Sequence, residues 1–174
     1  MATYKIDPTH SEIKFKVKHL MITNVTGEFK SFDATMEAEK DDFSDAKISF
    51  EADIDSINTN QEQRDAHLKS DDFFNAEKFP KLTFISKELE HVSGSDYKLT
   101  GDLTIRDITK EITLDVEFGG RMVDFYGQDK VGFELTGKIS RNEFGLKWNA
   151  VTEAGGVVVS DEIKLQLAAQ MVKQ

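Results

Sequence analysis

Along most of this chain apolar and charged residues alternate one for one. Ile13, Phe15 and Val17 are separated by Lys14 and Lys16, and Ile48, Phe50, Ala52 and Ile54 by Ser49, Glu51 and Asp53. A period of two puts one set of side chains on each face of a β-strand, whereas an amphipathic helix repeats every 3.6 residues. The alternation recurs at Leu82 and Phe84, at Tyr97, Leu99, Gly101, Leu103 and Ile105, and at Ile112, Leu114, Val116 and Phe118. It returns at Val131, Phe133, Leu135, Gly137 and Ile139, and again at Ile163, Leu165, Leu167, Ala169 and Met171. The segment from Val25 to Ala38 is a further strand, whose apolar phase slips between Phe29 and Phe32; such a slip predicts an inserted residue and a bend.

About eight half-buried strands with few signs of crossover helices predict an antiparallel sheet that must cover its own apolar face. The expected fold is all-β. A closed eight-stranded antiparallel barrel leaves no open edge and is preferred over a two-sheet sandwich. Two interruptions carry helix-start chemistry. Thr59-Asn60-Gln61-Glu62 fits a capping box, so a short helix is expected around residues 60–69. Ser140-Arg141-Asn142-Glu143 repeats the box and Gly145 offers a left-handed stop, which predicts a helical turn near 141–145. Pro80 disfavours helix at Phe79 and marks re-entry into a strand. Gly119-Gly120 reads as a turn at a strand end.

Composition narrows the function. With 174 residues and no Pro/Gly-rich linker, the chain has room for one domain, residues 1–174, around one core. Its 13 Phe and 39% apolar content fit a globular chain and not a disordered one. The net charge of −10, with no Lys residues clustering into a concentrated basic face, argues against nucleic acid, and the same charge repels anionic bilayers. No apolar run approaches the ~20 residues of a membrane-spanning helix, so no stable membrane insertion is expected. Met1 to Asp7 lacks the apolar stretch of a secretion signal; the expected location is cytoplasmic, or periplasmic or secreted for a processed form. The absence of Cys removes disulfides, thiolate metal sites and Cys nucleophiles.

The aromatic load is the most informative feature for function. Phe15, Phe29, Phe32, Phe50, Phe84, Phe118 and Phe133 lie on or beside apolar strand faces, and each stabilises the fold by roughly 2 to 3 kcal/mol if fully buried. Eight-stranded barrels are either filled by side chains or hold one small ligand, and periodicity does not choose between them. Small inward residues, Ala34, Ala52, Gly101 and Gly137, favour a void, or else let bulky neighbours interdigitate. Arg64 and His67, three positions apart on the expected helix, are candidates for an anionic head group at the barrel mouth. The bland alternative pairs Arg64 with Asp65, Glu62 or Asp71 and leaves His67 closing one hydrogen bond. His10, His19 and His91 are scattered without metal-ligand spacing, so no metal site is expected. No nucleophile elbow, phosphate loop or dinucleotide fingerprint is present. The pairs Asp41-Asp42 and Asp71-Asp72 read as solvated loop acids. Trp148 fits either the mouth or the core.

Several ordered motifs then carry a family resemblance. Asp7-Pro8-Thr9-His10-Ser11, with Phe15, His19, Gly27 and Phe29, resembles the opening of the YceI-like, lipocalin-like polyisoprenoid-binding proteins. Asn58-Thr59, Arg64-Asp65-Ala66-His67-Leu68, Phe73-Phe74 and Phe79-Pro80 resemble the central block of that family, and Gly101-Asp102-Leu103-Thr104-Ile105-Arg106 a later strand. Arg141-Asn142-Glu143-Phe144-Gly145 is similar to its Arg-x-x-Phe-Gly turn. The resemblance spans nearly the whole chain. It implies an eight-stranded lipocalin-like barrel whose apolar tunnel binds, transports or stores a long isoprenoid or similar lipid without chemistry and without a further cofactor, and it implies a homodimer as one assembly. Asp107 departs from the Gly that many members carry after the Arg.

Taken with that resemblance, the expected tunnel wall is Phe15, Phe29, Phe32, Phe50, Ile54, Phe74, Phe84, Leu103, Ile105, Phe118, Phe133, Phe144 and Trp148, with Arg64 and His67 at the head group. A barrel of strands ~10 residues long tilted ~40° is roughly 25 Å tall, so a long ligand must fold or protrude. Two rivals stand beside this reading: a lipid-modifying enzyme with a His/carboxylate site at the mouth, and a filled-core structural module.

Overall fold

The structure is a computed structural model that describes residues 2–20, 22–148 and 159–174. The strands are β1 (Ala2–Ile6), β2 (Glu12–His19), β3 (Thr23–Phe29), β4 (Phe32–Ala38), β5 (Lys47–Asp53), β6 (Ile57–Asn58), β7 (Lys81–Ser93), β8 (Asp96–Ile105), β9 (Ile108–Val123), β10 (Asp129–Ser140) and β11 (Val159–Lys173). Among the described residues one α-helix, α1 (Glu62–Lys69), lies between β6 and β7.

These segments make eight staves, because β1 with β2, β3 with β4 and β5 with β6 are each one long strand broken at a corner. Every pairing is antiparallel, and β11 closes the barrel by pairing with β2 along its first half and with β1 at its end. The expected closed barrel is the observed one. Inward positions carry the alternating apolar residues, and outward positions carry charges in exposed pairs such as Lys81 with Glu51 at 2.9 Å and Lys98 with Asp115 at 3.4 Å. An outer wall of this polarity is not one that faces lipid tails.

The corners stack together. The predicted slip falls at Lys30-Ser31 between β3 and β4, where the Lys30 amide donates to Ser56 O and the Asp53 amide to Ser31 O. Between β1 and β2 the chain turns through a short 3-10 segment, Pro8–His10, capped by the Asp7 carboxylate, which accepts from the Thr9 amide at 3.0 Å.

Local departures from the sequence reading have tertiary causes. The helix begins at Glu62 with Gln61 as its N-cap, and the Thr59 capping box does not form. Asn60 is left-handed with φ 63°, which takes Thr59 out of capping position; its hydroxyl donates instead to Asp65 Oδ1 at 2.5 Å. The second turn is a 3-10 segment, Asn142–Phe144, ended by Gly145 at φ 78° as expected. Its first amide is satisfied not by Ser140 but by Asp161 of β11 at 3.0 Å. Gly119-Gly120 is not a turn. β9 continues through it to Val123, and the register against β10 shifts there, which is a β-bulge.

Candidate ligand-binding site

Inward apolar side chains do not meet across the barrel; they enclose a cavity of about 620 Å³. That volume lies inside the usual range for small-molecule sites. The inward glycines Gly101 and Gly137 do not create it. A β-carbon on Gly101 would meet the Phe84 ring, and one on Gly137 would meet the Leu114 side chain, so these glycines accept their neighbours' bulk. The void arises because the circumference of eight staves exceeds what the remaining side chains fill.

One end is sealed. Phe43, in the loop after β4, is held at φ 59° and is only 1% exposed. Its ring centroid lies 5.9 Å from Tyr4, 5.7 Å from Phe118 and 5.5 Å from Phe133. Such edge and tilted ring contacts make a packed aromatic floor. The opposite end is polar. It is built from α1 and the ends of β2 and β11, and it carries Thr59, Gln61, Gln63, Arg64 and His67 together with His19 and Trp148.

The residues expected in the wall fall into two groups. Phe15, Phe29, Phe50, Phe74, Phe84, Leu103, Ile105 and Phe133 line the cavity, and Trp148 lines its mouth. Four others sit off the wall. Phe118 belongs to the aromatic floor. Phe32 stacks on Phe50 at 6.4 Å after the corner rotates its strand. Ile54 is in the short 3-10 corner after β5, and Phe144 is in the turn after β10; both are buried, at 2% and 1% exposure, in side packing. Alternation places faces within strands and gives no position for residues in corners.

At the mouth, Arg64 donates from Nε to Thr59 Oγ1 at 2.8 Å and from Nη2 to Thr59 O at 2.7 Å. Among the described residues it has no carboxylate within ion-pair distance, so the expected surface pairings with Asp65, Glu62 and Asp71 do not occur. Asp65 acts through Thr59, which it holds by both amide and hydroxyl. His67 meets Asp72 at 2.8 Å, Nε2 to Oδ2, and its ring packs edgewise on Phe73 and Trp148 at 5.1 and 4.8 Å. The bland reading therefore describes part of His67, and its ring forms a wall of the entrance.

Sequence reasoning missed Arg141 as a wall residue. It is 2% exposed and donates to the carbonyls of Ser160, Leu146, Trp148 and Val159 over 2.6 to 3.1 Å. Burial pushes its guanidinium below the usual arginine range, and Asp161 opposes that shift. The cations along the described wall are Lys14, Arg64 and Arg141, and no Asp or Glu lines it. In a chain of net charge −10 this is a local reversal of sign. No group of three or more His, Cys, Asp or Glu suited to a metal occurs among the described residues.

A closed antiparallel barrel with an oily cavity, one sealed end and one polar mouth defines a lipocalin-like barrel protein. Comparison with known proteins places the chain further: the model of the YceI-like domain matches residues 4–171, and the protein belongs to that family. A UPF0312 protein of Staphylococcus aureus (strain USA300) is 40% identical over 171 residues, covering 98% of this chain and 97% of the relative. The crystal structure of Burkholderia cenocepacia BcnA shares the fold with a TM-score of 0.83 at 20% identity, over 95% of this chain and 98% of that one. A polyisoprenoid binding domain from Saccharophagus degradans, implicated in plant cell wall breakdown, has a TM-score of 0.71 at 15% identity, over 98% of both chains.

Proposed function

We propose that this protein binds a long apolar amphiphile tail-first inside the barrel, leaving its polar head at the mouth and its bonds unchanged. The observation that carries the reading is the 620 Å³ cavity, walled by apolar side chains, sealed at the Phe43 end and, among the described residues, lined by no carboxylate. Burying the tail supplies about 25 cal/mol for each Å² of apolar surface removed from water. The sealed floor sets the polarity of entry, because a charged head pushed down to it would be desolvated among rings. An anionic or strongly electronegative head meets the Arg64 guanidinium, which Thr59 orients from two sides and which no carboxylate of the described residues neutralises. The isoprenoid class is supported by family membership and by the polyisoprenoid binding domain that shares the fold.

Native mass spectrometry of gently purified protein, with organic extraction of whatever is released, tests the reading directly. A long-chain lipid recovered intact at one per barrel is the expected result. An enzyme acting at His67 and Asp72 would release altered lipid with time. Repeated recovery of empty protein that also ignores added prenyl diphosphate would remove the carrier reading.

A further inference from the structure

The outside of the barrel mouth carries a second feature that the sequence hides. Lys16 of β2 stands directly opposite Lys164 of β11, and Lys164 stands directly opposite Lys138 of β10. Like charges in directly opposed cross-strand positions destabilise a sheet. Lys138 is offset by Glu162 at 3.7 Å, whereas the ammonium groups of Lys16, Lys164 and neighbouring Lys18 have no ion-pair partner among the described residues. Of the acids at the start of β11, Glu162 is taken by Lys138, and Asp161 is engaged by Ser140 and Asn142.

This basic row ends at an apolar tip. β2 runs from Lys16 to His19 and turns into β3 through Leu20 and Ile22, which are 41% and 79% exposed. His19 and its partner Val159 line the cavity, so the tip overhangs the mouth. At about 3.3 Å per residue the row lies about 10 Å below the rim, close to one Debye length at physiological salt. Long-range repulsion from the net charge of −10 is screened over the same distance, and the local patch dominates at contact.

We propose that the mouth docks reversibly on an anionic lipid bilayer, Leu20 and Ile22 entering the headgroup region while Lys16, Lys18 and Lys164 face lipid phosphates. Docked this way, the open end of the cavity faces the compartment in which a long amphiphile is dissolved. Charge complementarity selects this end. The larger apolar tip, Phe125 and Tyr126 at 106% and 91% exposure, lies between Asp124 and Asp129 at the sealed end of the barrel. The proposal gives the site described above a lipid surface as its source, and it rests on that reading only for its purpose.

Flotation with vesicles of phosphatidylcholine alone, and of phosphatidylcholine mixed with phosphatidylglycerol, tests it at low and high salt. The protein is expected to float with the anionic vesicles at low salt and to leave them as salt rises. Each Lys→Gln change at Lys16 and Lys164 lowers the partition coefficient about twofold, and Ile22→Ser lowers it again, with no loss of thermal stability. A Phe125→Ser, Tyr126→Ser double variant floats like the parent. Equal partition onto neutral vesicles, no flotation at all, insensitivity to the lysine changes, or loss of flotation in the Phe125 and Tyr126 variant each overturns the proposal. Binding of a fluorescent prenyl probe in vesicle-free buffer is measured alongside. Its failure with flotation intact removes the carrier reading and leaves the docking.

Discussion

Arg64 and Arg141 present the same guanidinium to one cavity, and their hydrogen bonds give them different work. Arg141 spends its donors on four main-chain carbonyls, Leu146 and Trp148 after the turn that follows β10 and Val159 and Ser160 at the start of β11, and so holds that turn to the last strand. Arg141→Met leaves those carbonyls without a donor, and about 3 kcal/mol or more of stability is expected to go, read from urea unfolding. Arg64 keeps Thr59 as its anchor, and no carboxylate of the described residues pairs with it. Arg64→Ala is expected to cost less than about 1 kcal/mol in folding yet weaken a prenyl diphosphate about tenfold or more, while an uncharged prenyl alcohol binds as before. Equal loss for both ligands would move the head group elsewhere. Ala34 lines the cavity. Ala34→Leu puts three more carbons where the tail should lie, and a roughly ten- to fiftyfold loss of affinity without loss of stability is the expected signature in paired binding and melting curves.

At the scale of elements, the loops do what the strands alone cannot. The loop between β4 and β5 sends Phe43 across the base, and Phe43→Ala is expected to destabilise by about 3 to 5 kcal/mol and to open the floor to solvent. Faster release of a bound fluorescent lipid in stopped flow reports that opening. The corner between β1 and β2 is titratable. Hydrogen bonds from His10 and Thr9 hold the Asp7 carboxyl down from 3.8 to about 2. A carboxyl whose folded pKa is depressed stabilises the fold above its unfolded pKa and loses that contribution as pH falls toward the folded value. Urea midpoints for the parent should therefore fall between pH 3.8 and about 2 more steeply than those of Asp7→Asn, which lacks this group; parallel curves would deny the corner its role. Helix α1 shows where local rules stopped: the Thr59 box was readable, but β6 and Asp65 draw Thr59 away from the cap.

Across the whole molecule, the two chain ends complete the wall. β1 pairs with β11 through Tyr4 opposite Lys173 and Ile6 opposite Met171, so the first and last strands close one seam. A chain lacking residues 2–6 leaves β4 and the end of β11 as open edges, and loss of a single cooperative unfolding transition, with association in solution, is expected by calorimetry and light scattering. A ligand that enters only the closed barrel stabilises it by mass action. Melting temperature should rise steadily with lipid concentration in the parent and stay flat in Ala34→Leu over the same range.

The sequence by itself determined the strands, their inward faces, the closed barrel and the left-handed stop at Gly145, because alternation and turn chemistry are properties of neighbouring residues. Resemblance of ordered motifs placed the family. Only the tertiary structure decided that the barrel is hollow, since a void is the difference between circumference and summed side-chain volume, and no local pattern encodes it. It also put Phe43 on the floor, Arg141 in the wall, and Lys16, Lys164 and Lys138 in one row. Lys16 stands far along the chain from both Lys138 and Lys164, and register alone makes them neighbours.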